Sequence, residues 1–101
     1  MRLCALSELE AGTARRFDVS GHRLCAVRIG DDVYVIGDRC SHADVSLSEG
    51  EVLADELEVE CWKHGSTFDL KTGEPQSLPA TKPVPVYEAR VVDGDVEVLF
   101  L

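Results

Sequence analysis

Cys40-Ser41-His42 and Cys61-Trp62-Lys63-His64 decide how this chain is read. Each short stretch offers one thiolate and one imidazole, and 18 residues lie between His42 and Cys61. A mononuclear zinc site could use the same four residue types. Structural zinc motifs more often pair Cys with Cys and His with His, whereas here each loop pairs Cys with His. That pairing suits a sulfide-bridged diiron cluster better. One iron takes both thiolates and the other both imidazoles, so each loop gives one ligand to each iron.

The residues downstream extend the pattern. Cys61-Trp62-Lys63-His64 runs on into Gly65-Ser66, then Phe68-Asp69 and Thr72-Gly73-Glu74-Pro75. With these, nearly the whole chain resembles the small Rieske-type 2Fe–2S ferredoxins, above all the ferredoxin components of bacterial ring-hydroxylating dioxygenase systems. The resemblance implies that Cys40 and Cys61 bind an inner iron, and that His42 and His64 bind an outer iron near the surface. It also implies an all-β Rieske fold: an antiparallel sandwich or barrel-like base with an inserted cluster-binding subdomain. The base would be built from about 1–38 and 82–101, the insertion from about 39–81, within a single domain.

Composition agrees with a small folded carrier. One hundred and one residues favour one domain, and 45% hydrophobic residues supply a core. A metal centre can staple a small all-β domain. The net charge of −9, from 10 basic and 19 acidic residues, makes nucleic acid a poor partner. It suits steering toward a basic patch on another protein, although many proteins are simply acidic. Met1-Arg2-Leu3 leads directly into a strand-like segment, with no signal peptide and no apolar run near the ~20 residues a membrane span needs. The expected compartment is the cytoplasm. Cys4 and Cys25 then read as small buried hydrophobes, neighbours at most, rather than a disulfide.

Outward from the ligand loops the chain reads as short strands divided by turns. Arg2–Ala5, Thr13–Val19, Arg23–Ile29 and Val33–Ile36 precede the first loop. Ser7–Gly12, Gly30–Asp32 and Ser46–Gly50 read as turns. Glu51–Ala54 and Leu57–Glu60 form a hairpin around Asp55-Glu56, with Leu57, Val59 and Cys61 on one face by the period-2 rule. Thr67–Leu70 is a short strand. Four prolines between Pro75 and Pro85 block regular pairing. Val84–Val92 and Val96–Phe100 close the chain as a hairpin around Asp93-Gly94. No segment carries a helical stripe.

Around the ligands the resemblance assigns lesser roles. Gly65 permits a turn that aims amides at the sulfides, and Pro79 belongs to a loop that covers the cluster. Trp62 shields the site rather than docks a partner, and Lys63 is a local positive spot. His22, after a Ser-Gly turn, is solvent-exposed. The resemblance also implies a partner set: a flavin-dependent NAD(P)H reductase as donor and a terminal oxygenase as acceptor, both docking transiently. The chain itself is not an enzyme. An oxygenase needs a second iron held by two His and a carboxylate, and only His22 is left uncommitted. Two alternatives stay open: a Rieske-like accessory subunit, as in nitrite reductase or iron–sulfur assembly, and a zinc-binding interaction module.

His ligation leaves the oxidised core neutral, so an added electron costs less than in an all-thiolate cluster. Groups around the ligands then set the potential. Val45 and Lys63 stand where high-potential members of the family carry a second pair of Cys, so that disulfide cannot form. Ser66 matches a hydroxyl that bonds a cluster sulfur, and Phe68 replaces a Tyr that would give another. A potentiometric titration should therefore return a midpoint toward the negative end of the roughly −150 to +300 mV range of such centres. A midpoint far above zero against hydrogen would contradict this reading.

Overall fold

The computed structural model describes residues 1–99; the expected end of the last strand at Phe100 lies outside them. The strands are β1 (Arg2–Ala5), β2 (Ala14–Val19), β3 (His22–Ile29), β4 (Asp32–Gly37), β5 (Val52–Leu53), β6 (Glu58–Glu60), β7 (Thr67–Asp69), β8 (Val86–Val92) and β9 (Asp95–Leu99). Helical structure among the described residues is confined to two 3₁₀ turns, Leu6–Glu8 and Leu47–Glu49. Leu47–Glu49 falls within a segment read as a turn from the sequence, and Leu6–Glu8 overlaps the start of another.

Every pairing is antiparallel. Six strands form one sheet in the order β1-β9-β8-β4-β3-β2, which curls into a nearly closed barrel. The other three form a small sheet in the order β5-β6-β7. Tight two-residue turns close the hairpins where the sequence offers residues that tolerate positive φ. Ser20-Gly21 (φ 51° and 78°) joins β2 to β3, and Asp93-Gly94 (φ 50° and 78°) joins β8 to β9. The N-terminus is held beside the last strand, Met1 N–H donating to the Val98 carbonyl and Val98 N–H to that of Met1, each at 2.8 Å.

Strand β3 organises the interior because both of its faces are buried. Its side chains alternate between two cores by the period-2 rule. Leu24 and Ala26 pack with Cys4, Leu9, Val35, Val96 and Val98. Cys25 and Val27 face the other way, toward Ile36, Leu47, Val59, Phe68 and Leu70. This second core joins the large sheet to the small one, and it also contains Cys40 and Cys61. Cys4 and Cys25 thus lie in different cores and are not neighbours. Burial pushes the Cys25 thiol well up, with buried Asp38 adding to the effect.

One expectation about the small sheet needs correcting. Leu57 does not continue the face of Val59 and Cys61. It sits at φ 55° in the turn, donating its N–H to Ala54 O at 3.3 Å and accepting from Leu70 N–H at 2.9 Å. The register Leu53↔Glu58 leaves four residues to reverse the chain, and a left-handed residue completes that reversal.

Between Leu47–Glu49 and β6 the backbones touch. A Cβ on Gly50 would overlap the carbonyl oxygen of Glu60. Gly50→Ala should therefore force these segments apart and cost about 1–3 kcal/mol. That corresponds to a fall of roughly 4–8 °C in Tm for each kcal/mol in a domain of this size. An unchanged melting curve by circular dichroism would contradict the packing described.

Candidate metal centre

The first ligand loop leaves the end of β4. Arg39 and Ser46 bridge its base, and Cys40 N–H donates to Val45 O at 3.0 Å. The second loop joins β6 to β7 and folds more tightly. Cys61 N–H donates to Ser66 O at 2.7 Å, and Gly65 N–H donates back to Cys61 O at 2.9 Å. Gly65 takes φ 77°, a conformation that costs glycine little and most other residues strain. Its own amide is spent on the Cys61 carbonyl, which closes the turn.

The two loops bring the four predicted ligands together in two pairs. Cys40 (2% exposed) and Cys61 (1%) lie side by side in the core. Burial pushes the Cys40 thiol above its ordinary range. The amides of His42 and Ala43, turned to its sulfur, pull the other way, and the adjoining Cys61 thiol pushes it up again. His42 and His64 stand at the surface, ring centroids 5.0 Å apart and crossed at 74°. Among the described residues no three His, Cys, Asp or Glu side chains converge on one point as a single metal ion would require. Two buried sulfurs and two exposed imidazoles fit a group with two metal ions, one facing each pair.

A proline-containing strap fastens both loops. Ala80 N–H donates to the fully buried Ser66 Oγ at 3.0 Å, and Ser41 Oγ–H donates to Lys82 O at 2.6 Å. Gln76 N–H to Thr67 O at 2.7 Å and Thr67 N–H to Ser77 Oγ at 3.1 Å stitch the strap to β7. Pro79 lies in this strap, half-buried behind exposed Leu78. Ser66 accepts from the strap, which leaves its hydroxyl proton available to the site. Ser41 was not singled out from the sequence. Its only signal there is its place between two ligands, where a small donor can reach across.

The remaining predicted residues separate by exposure. Phe68 is fully buried among Val59, Leu70 and the two cysteines. Val45 packs against the same core, and Lys63 is exposed. Trp62 is 54% exposed. His22 is exposed on β3 and meets Tyr87, Nδ1 to hydroxyl 3.3 Å, far in sequence from either loop.

With the geometry in place, comparisons with known proteins bear on it. The family model described as the Rieske [2Fe-2S] domain matches residues 1–88. The chain is 40% identical over 99 residues to Ferredoxin CarAc of Metapseudomonas resinovorans, covering 97% of this chain and 91% of that protein. It is 41% identical over 93 residues to the 3-phenylpropionate/cinnamic acid dioxygenase ferredoxin subunit of Escherichia coli K12, covering 92% and 86% respectively. Among solved structures it is similar to a chain in the complex of reduced oxygenase and oxidized ferredoxin in carbazole 1,9a-dioxygenase. There the TM-score is 0.89 at 40% identity, over 98% of this chain and 100% of that one.

Ser66 yields a test of this arrangement. Ser66→Ala leaves the Ala80 amide buried without its acceptor, a loss of about 1–3 kcal/mol. A Ser66 hydroxyl that donates to the cluster would favour the more negative, reduced state, and this change would remove it. The midpoint should fall, by about 60 mV for each 1.4 kcal/mol of lost differential stabilisation in a one-electron couple. A lower Tm with an unmoved potential would mean that Ser66 serves the strap alone.

Proposed function

The chain belongs to the Rieske [2Fe-2S] domain family, and on that premise we propose that it carries single electrons from a flavin-dependent NAD(P)H reductase to a terminal oxygenase. The observation that carries this reading is the split of the donor set into buried sulfur and exposed nitrogen. Cys40 and Cys61 would hold one iron of a 2Fe–2S cluster as thiolates, and His42 and His64 would hold the other through imidazole nitrogens. When bound, the cluster supplies a one-electron couple. The protein's own residues do the rest: the core screens the thiolates from water, and the imidazole edges offer the shortest route from the cluster to a docked partner.

The named relatives support a carrier rather than a catalyst, since they are ferredoxin components of dioxygenase systems. The oxygenase partner is supported by the carbazole 1,9a-dioxygenase structure, in which a similar ferredoxin chain is complexed with an oxygenase. Trp62, within the second ligand loop, and Leu78, in the strap, are exposed apolar side chains suited to a small and transient interface. No helix among the described residues is long and apolar enough to cross a membrane. With four free cysteines, the cytoplasm is the compartment we assign.

Charge favours encounter. Glu49, Glu51, Asp55, Glu56, Glu58 and Glu60 line the approach to the second loop, and no Lys or Arg interrupts them. None of the six is in a salt bridge among the described residues. Their field reaches about 10 Å at 0.1 M salt. Stopped-flow mixing of the reduced protein with the reductase-free oxygenase of a dioxygenase system should give bimolecular electron transfer. Its rate should fall about ten-fold or more as salt rises from low to high ionic strength. No transfer to any such oxygenase would refute the carrier reading; salt-independent transfer would refute only the steering.

A further inference from the structure

Asp38 is the only fully buried charged side chain among the described residues, and it stands two positions before Cys40 without belonging to the ligand set. Its carboxylate accepts from Arg23 Nε at 3.2 Å and from Ser48 N–H at 2.9 Å, with Arg16 Nε at 3.9 Å. The backbone repeats the attachment. Asp38 N–H donates to Arg23 O at 3.0 Å, and Leu47 N–H donates to Asp38 O at 2.6 Å.

Arg23, on β3, reaches beyond Asp38. Its Nη2 donates to Ser46 Oγ at 2.7 Å, and its Nη1 lies 3.5 Å from Asp44 Oδ1, which Arg39 Nε also approaches at 3.3 Å. One guanidinium therefore holds the first ligand loop before its start, inside it and after its end. None of these contacts involves the second loop, which is fastened by the small sheet and the strap. The planar fork is what makes three attachments possible; an ammonium would reach fewer. Asp44 is 75% exposed, so that arm adds little alone. The firm arms are the buried carboxylate and Ser46.

We propose that Arg23, through Asp38 and Ser46, is the positioning residue of the first ligand loop, setting where His42 stands relative to His64. The inference rests on the carrier reading. A cluster gripped by one thiolate and one imidazole from each loop is sensitive to the offset between the loops. Residues that fix one loop to the large sheet therefore govern how long the cluster is retained and how His42 meets its iron.

The test uses the cluster-loaded protein and three changes: Ser46→Ala, Arg23→Lys, and Arg23→Gln combined with Asp38→Asn so that no charge is left buried and unpaired. Arg90→Gln, which breaks the distant Arg90–Glu97 pair (3.2 Å) between β8 and β9, is the control. Bleaching of the visible absorbance under a chelator reads cluster loss, and pulsed electron paramagnetic resonance reads the two histidine nitrogens. Ser46→Ala and the double variant should lose the cluster roughly three- to ten-fold faster. They should shift one histidine coupling while leaving the other in place. Arg23→Lys should fall between these and the parent, and Arg90→Gln should match the parent. Folded variants with the parent's loss rate and both couplings unmoved overturn the inference. If the double variant does not fold, Ser46→Ala decides by the same readouts. If the parent itself shows no nitrogen-ligated cluster, the carrier reading fails and the inference falls with it.

Discussion

Two loops from two different sheets must face one another so that their sulfurs meet inside and their imidazoles meet outside. The rest of the molecule is arranged around that requirement. Cys40 follows β4 of the large sheet, and Cys61 follows β6 of the small one. The thiols belong to the same buried core as Val59, Phe68, Leu70 and Ile36. A metal centre held by both thiols would tie the two sheets together, and its binding would then add to the folding free energy. A domain of this length has little core to spare, and a bridging group at the junction of its two sheets is where added stability counts most.

The same division explains how one small chain can both protect and deliver an electron. Thiolates in the core lose contact with water, and the burial that raises the Cys40 thiol would leave adjoining thiolates unstable without a cation to share them. Imidazoles stay neutral when they bind a metal, so they can be exposed without a charge imbalance and placed where a partner arrives.

Much of this was legible in the sequence because it depends on local signals. Turn residues with positive φ at Ser20-Gly21 and Asp93-Gly94 marked the hairpins, and β-branched runs marked the strands between them. The two Cys/His pairs announced themselves by residue type and spacing. What escaped depends on partners far away in the chain. Leu57 read as a strand residue because nothing in its neighbours shows that the register Leu53↔Glu58 leaves it in the turn. Ser41 and Lys82 are 41 positions apart, and Arg23 and Asp38 are 15 apart. Hydrogen bonds of that range follow from topology, which a single sequence encodes only indirectly. Asp38 left a faint trace, a carboxylate one residue past a strand that runs Val, Tyr, Val, Ile and Gly after Asp32.

The central claim is a two-iron cluster held unequally, by two sulfurs on one side and two nitrogens on the other. Electron paramagnetic resonance of the chemically reduced protein, with iron and acid-labile sulfide assayed on the same sample, tests it most directly. The account predicts two irons and two sulfides per chain and a rhombic signal of low average g with couplings to two histidine nitrogens. A colourless zinc-loaded protein that cannot be reconstituted with iron and sulfide, or an iron–sulfur signal without nitrogen coupling, would contradict it.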